Sequence, residues 1–166
     1  MIASRVSMVK ASGEFPFSSY REGQLEALEA VREAFAAGKR FVVLEAPTGS
    51  GKSAIGVTLA REAGSAYVLT AQKVLQDQYL KDFKDLAVMK GRANYPCLVA
   101  DTHAAAAPCL TGRWFPACDE CPYFAAKDAA MAAKVTAMNY AYFLAETNYA
   151  GAFGRRELLV LDEAHN

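Results

Sequence analysis

The stretch APTGSGKS, Ala46 to Ser53, sets two glycines, a lysine and a hydroxyl in the order that wraps a phosphate group. Gly49 and Gly51 let the backbone curl so that its N–H groups point inward at phosphate oxygens, and a helix starting there adds the positive end of its dipole. Lys52 supplies positive charge for the β and γ phosphates of ATP, and the Ser53 hydroxyl is a ligand for Mg²⁺. Thr48, Gly49, Ser50, Gly51, Lys52 and Ser53 are therefore the candidate nucleotide-binding residues. The strict pattern asks for Gly where this chain has Ala46, so the match is to the variant with TGxGK[ST] at its centre. A second cluster, Asp162-Glu163-Ala164-His165, brings two adjacent carboxylates. Asp162 is suited to hold Mg²⁺ through its water shell, and Glu163 to orient or deprotonate the attacking water. Lys52, Asp162 and Glu163 are the candidate catalytic residues, with ATP and Mg²⁺ as the implied cofactors.

Four cysteines, Cys97, Cys109, Cys118 and Cys121, occupy one short segment with the spacing C-x₁₁-C-x₈-C-x₂-C. In a compartment that keeps thiols reduced, such clustering points to a metal site and away from disulfides. Four thiolates suit a [4Fe–4S] cluster and suit zinc equally well; the spacing does not choose between them. His103 is a further candidate ligand. Tyr95, Trp114, Phe115 and Tyr123 lie beside the cysteines and either pack around a metal site or stack on bases.

These groups need elements to hold them. FVVLEA (41–46) reads as a strand buried on both faces, delivering the glycine loop, and a helix is predicted from about Lys52 to Glu62. AYVLT (66–70) repeats the strand pattern, and Leu75, Tyr79 and Phe83 recur at the spacing of one helical face. Ahead of the loop, Ser19 and Glu22 have capping-box spacing for a helix whose Leu25, Leu28, Val31 and Phe35 share a face and which Gly38 ends. Periodicity vanishes from Lys90 to Cys121, the mark of an insertion. A helix resumes at Pro122, whose fixed φ suits the first helical position. VTAM (135–138) reads as a strand, Tyr140 to Ala145 as a short helix, and ETNYAGAFGRRE as an exposed loop. LLVL (158–161) reads as a third buried strand that ends at Asp162. The order is α/β.

Hydrophobic residues make up 53% of the 166-residue chain and charged residues 22%, enough apolar material for a folded core. Eighteen basic residues balance eighteen acidic ones, so overall charge advertises neither nucleic acid nor membrane as a partner. No apolar run approaches the roughly 20 residues that cross a bilayer, and the first residues lack the apolar stretch of a secretory leader. No membrane partner and a cytoplasmic location are the expectation.

With the glycine loop and the DEAH sequence in place, the chain resembles a superfamily-two helicase, and further residues narrow the resemblance to the DinG/XPD branch. FPFSSYREGQ (15–24) is similar to the motif whose glutamine reads adenine, which gives that role to Gln24. YVLTAQKVLQDQ (67–78) is similar to the motif that lies along the DNA backbone, making Thr70 and Gln76 candidate DNA contacts. CPYFAAKDA and AMNYAYFLAE resemble the segments after the last cluster cysteine and before the DEAH strand. The resemblance implies a RecA-like P-loop parallel sheet flanked by helices, incomplete, with a cysteine-bearing insertion. Its parts are motor domain 1 over 1–89, an iron-sulfur insertion over 90–124, and motor domain 1 continued over 125–166.

The resemblance also tips the metal choice toward a [4Fe–4S] cluster on the four cysteines, with zinc the alternative. It implies ATP-driven movement along single-stranded DNA, 5′ to 3′, with a second RecA-like domain missing from this chain. It implies, too, a break in the sheet between the 41–46 strand and the Asp162 strand, so that the isolated chain hydrolyses ATP poorly. The competing expectations are a nucleotide-sensing metal-binding module and a P-loop ATPase acting on RNA or protein.

Overall fold

A computed structural model describes residues 13–71 and 73–164 and arranges them around a four-stranded sheet. In chain order the elements are α1 (Gln24–Ala36), α2 (Lys52–Glu62), β1 (Ala66–Thr70), α3 (Lys73–Asp82), β2 (Ala87–Met89), α4 (Pro122–Ala132), β3 (Val135–Asn139), α5 (Tyr140–Ala145) and β4 (Leu158–Leu161). Short 3₁₀ turns occupy the stretch between β2 and α4. The strands lie in the order β2-β3-β1-β4, and every pairing is parallel. Parallel neighbours require crossovers, and helices supply them on both faces.

On one face Val57 and Ala60 of α2, with Tyr79 and Phe83 of the α3 segment, pack on Val68, Val135 and Ala137. On the other face Tyr123 and Ala130 of α4 pack with Phe153 on Tyr67, Leu69 and Met138. β1 lies between β3 and β4 and has all five residues buried, as a strand covered on both faces should. A smaller core joins α1 to α2 through Leu28, Ala54 and Ile55. The parallel α/β sheet with flanking helices is the fold class that the sequence implies.

Several expectations need correction. Residues 41–46 form no strand: Phe41 is 86% and Val43 93% exposed, and the segment joins no ladder among the described residues. An apolar run becomes a buried strand only when a neighbour accepts its backbone hydrogen bonds. β4 pairs with β1 alone, so it is an edge and not a fully buried strand. Leu159 and Leu161 remain 45% and 50% exposed, while Leu158 and Val160 pack inward. The capping box at Ser19 and Glu22 does not form, because the chain turns through Gly23, at φ 78°, and α1 starts only at Gln24.

The loop expected over 146–157 is partly structured. A π-helical turn spans Glu146–Ala150, Glu146 is buried against Lys127, and Phe153 enters the core. β2 and its pairing to β3 escaped the sequence reading. Pro122 does open α4, and α2, β1, α5 and β4 fall where their patterns place them. Among the described residues no helix is long and apolar enough to cross a membrane. Residues 1–12, on which the absence of a secretory leader was read, lie outside the described residues, as does His165, the end of the DEAH sequence.

α2 approaches the sheet closely at one point that matters for the site. A Cβ added at Gly56 would lie 2.9 Å from Cγ1 of Val160, so the helix packs against β4 where only hydrogen fits. That contact brings the first turn of α2, with Ser53, level with the carboxyl end of β4, with Asp162.

Candidate nucleotide and metal site

The glycine turn folds as its composition demands. Gly49 and Gly51 hold φ of 81° and 85°, a left-handed backbone that a side chain disfavours by about 1–2 kcal/mol. Gly51 is the N-cap of α2, so the turn opens directly onto a helix N-terminus. That is the arrangement in which backbone N–H groups and the helix dipole attract an anion. A Cβ on Gly51 would also lie 2.3 Å from Nε2 of Gln24. Gly51→Ala is thus expected to lower stability by about 1–2 kcal/mol and to weaken nucleotide binding more than tenfold. Thermal melts with and without nucleotide check this, and wild-type nucleotide affinity in the variant would contradict it.

Lys52 reaches back over the loop: its Nζ donates to the carbonyl oxygens of Ala46 at 3.0 Å and Pro47 at 3.3 Å. Ser50 carries a buried Oγ with no hydrogen-bond partner, an orphan donor within the anion-facing turn. Thr48 is exposed at the tip.

Ser53 and Asp162, from the two ends of the sequence, meet. Ser53 Oγ donates to Oδ2 of Asp162 at 2.9 Å. Asp162 is 8% exposed and is tied on three other sides. Its N–H donates to Leu69 O at 2.8 Å, its carbonyl accepts from the Tyr140 hydroxyl at 3.0 Å, and Oδ2 accepts from the Tyr79 hydroxyl at 2.7 Å. Burial, with Asp162 alongside, raises the Tyr79 phenol well above its usual range. Tyr140 is raised by its burial and then by Asp162 and Glu163. Both therefore stay protonated donors at any physiological pH. Glu163, the next residue, holds φ 56°, the only non-glycine with positive φ among the described residues. Strained backbone of this kind costs about 1–3 kcal/mol and concentrates at functional sites.

Gln24 is 3% exposed and faces the glycine loop. Its Nε2 donates to Ser50 O at 2.9 Å and its Oε1 accepts from the N–H of Arg21 at 2.8 Å. Arg21 in turn donates from Nη1 to Gly49 O at 2.8 Å. The two side chains brace the loop from the start of α1 and the turn before it, and both polar ends of Gln24 are engaged.

The candidate DNA contacts do not reach the surface. Thr70 and Gln76 are both fully buried, and Gln76 Nε2 donates to Met89 O at 2.9 Å while its Oε1 has no partner. α3 turns its glutamine toward the sheet, and Thr70 ends β1 inside the fold.

The four cysteine thiols are free and line one cavity together with Ala104, Ala107, Tyr123 and Phe124. Arg92 closes it, its guanidinium 4.4 Å from the Tyr123 ring centre. Among the described residues no three His, Cys, Asp or Glu side chains converge closely enough to hold a single metal ion. His103 is not among the residues that line the cavity.

Sequence reasoning missed Arg21, Tyr79 and Tyr140. Tyr79 carried a usable signal: a tyrosine in a row of core positions must find a partner for its hydroxyl.

A comparison with individually curated proteins gives no match. The family model described as "Type III restriction enzyme, res subunit" matches residues 17–166, nearly the whole chain, including the glycine loop and the Asp162 strand. The chain belongs to this res-subunit family, and the domain is a helicase-like domain of superfamily two.

Proposed function

We propose that the chain is the nucleotide-binding part of an ATP-driven DNA helicase of the DinG/XPD type, moving 5′ to 3′ on single-stranded DNA. The observation that carries the ATPase part of this reading is the 2.9 Å hydrogen bond from Ser53 to Asp162, which joins the glycine loop to the acidic strand end in one site. When Mg·ATP enters, Lys52 exchanges its two carbonyl partners for phosphate oxygens. The N–H groups of the glycine turn would receive the phosphates, Ser53 and Asp162 would hold the magnesium ion, and Glu163 would orient the attacking water. Gln24 sits against the loop, placed to couple the adenine side of the nucleotide to its phosphate side.

Cys97, Cys109, Cys118 and Cys121 line one cavity and would hold a [4Fe–4S] cluster, with zinc the alternative. A cubane spreads its ligands over four irons and suits thiols set around an apolar cavity. Such a cluster supplies rigidity to a segment built mostly of short turns.

The test uses the full-length protein, purified without oxygen. The expected results are ATP hydrolysis stimulated by single-stranded DNA and about four irons per chain. Hydrolysis stimulated only by RNA or by protein, or a colourless protein that holds zinc, would overturn the DNA or the iron part of the reading respectively.

A further inference from the structure

We propose that Tyr79 is the positioning residue for the magnesium-binding carboxylate, a role that rests on the nucleotide site proposed above. Two hydroxyls donate to the same oxygen of Asp162: Ser53 at 2.9 Å and Tyr79 at 2.7 Å. Their circumstances differ. Ser53 stands on the first turn of α2, half-buried at the mouth of the site, and its oxygen is the one that magnesium claims. Tyr79 comes from α3 on the sheet face beneath and is 2% exposed, with its ring 5.2 Å from that of Phe83. Its hydroxyl lies against both Asp162 and Ser53, and the packing around the ring holds it there.

A carboxylate at a strand end has two torsions to settle before it offers an oxygen in a fixed direction. The backbone of Asp162 is pinned by Leu69 and Tyr140, which leaves the side chain to be settled. A hydrogen bond from a buried, immobile hydroxyl fixes Oδ2 and directs the remaining oxygen, which has no hydrogen bond among the described residues, to a defined place. The α3 segment therefore reaches the proposed metal site through the core.

The experiment separates magnesium-coupled binding from nucleotide binding as such. A fluorescent ADP analogue is titrated against the wild-type protein and Tyr79→Phe, each with Mg²⁺ and with EDTA. In wild type, Mg²⁺ tightens binding, and Lys52→Ala loses it. In Tyr79→Phe the tightening by Mg²⁺ is expected to fall about tenfold or more, the ordinary effect of removing a hydrogen bond to a charged group. Affinity in EDTA should stay within about twofold, since neither phosphate nor base touches Tyr79.

An unchanged magnesium effect in Tyr79→Phe overturns the proposal while leaving the nucleotide site intact. An equal loss with and without Mg²⁺ overturns it too, by marking the hydroxyl as merely structural. A wild-type protein with no magnesium-coupled binding overturns the site itself. A measurement on the unaltered protein guards against misfolding of the variant. The hydroxyl proton of Tyr79, protected from exchange by burial, should remain visible by NMR when Mg·ADP saturates the site, and its disappearance would overturn the assignment.

Discussion

Replacing Lys52 by alanine is expected to reduce ATP hydrolysis by the full-length protein on the order of 100- to 1,000-fold, with little change in melting temperature. Phosphoryl transfer gives a protein little covalent work, so positioned charge supplies most of the rate, and losing one such donor typically costs this much. The fold should tolerate the change because, among the described residues, Lys52 hydrogen-bonds to the carbonyls of Ala46 and Pro47, in a turn that water can reach. Steady-state hydrolysis and a thermal melt decide the matter. Activity within tenfold of wild type would mean that the glycine turn does not hold the transferring phosphate.

The second large effect concerns stability. Lys127 on α4 and Glu146 at the end of α5 form an ion pair in which Nζ lies 2.8 Å from both carboxylate oxygens. Their side chains are only 14% and 8% exposed. Two charges withdrawn from water hold each other in place, and removing one strands the other, at a cost of about 3–5 kcal/mol. Lys127→Met is therefore expected to lower the melting temperature by roughly 6–20 °C for a domain of this size. The double variant Lys127→Met with Glu146→Leu should recover much of the loss, because an apolar pair of similar volume avoids the desolvation of both charges. Calorimetry of the three proteins checks this, and a double variant no more stable than the single one would show that the pair itself is favourable.

How far the sequence could be read follows from which interactions are local. α2 and β1 were legible to the residue because a glycine turn, a cap and a continuous apolar run each act over a few positions. The meeting of Ser53 and Asp162 was legible as well, since the expected magnesium site names both. What failed depended on neighbours that the sequence does not name. FVVLEA has the composition of a central strand, yet composition cannot supply the adjacent backbone. β4 looked buried for the same reason and is an edge. Gln76 stood in a stretch resembling a DNA-contacting motif, but the row holding Tyr79 and Phe83 carries its helical face inward and takes the glutamine along. The 146–157 stretch read as loop because its anchoring charges, Glu146 and Arg156, find their partners nineteen and twenty-five positions earlier.

The way Lys52 folds onto the carbonyls of Ala46 and Pro47 bears on what a dissociation constant for this protein will mean. The lysine is not a bare cation in water but closes a circuit with its own turn, and on the nucleotide reading proposed above a triphosphate would displace those oxygens before it gained anything. Measured affinity then reports a difference between two satisfied states. Weak binding would then be compatible with strong contacts to phosphate, and a change that merely loosened the lysine from its carbonyls would tighten the grip on nucleotide without adding a single new interaction.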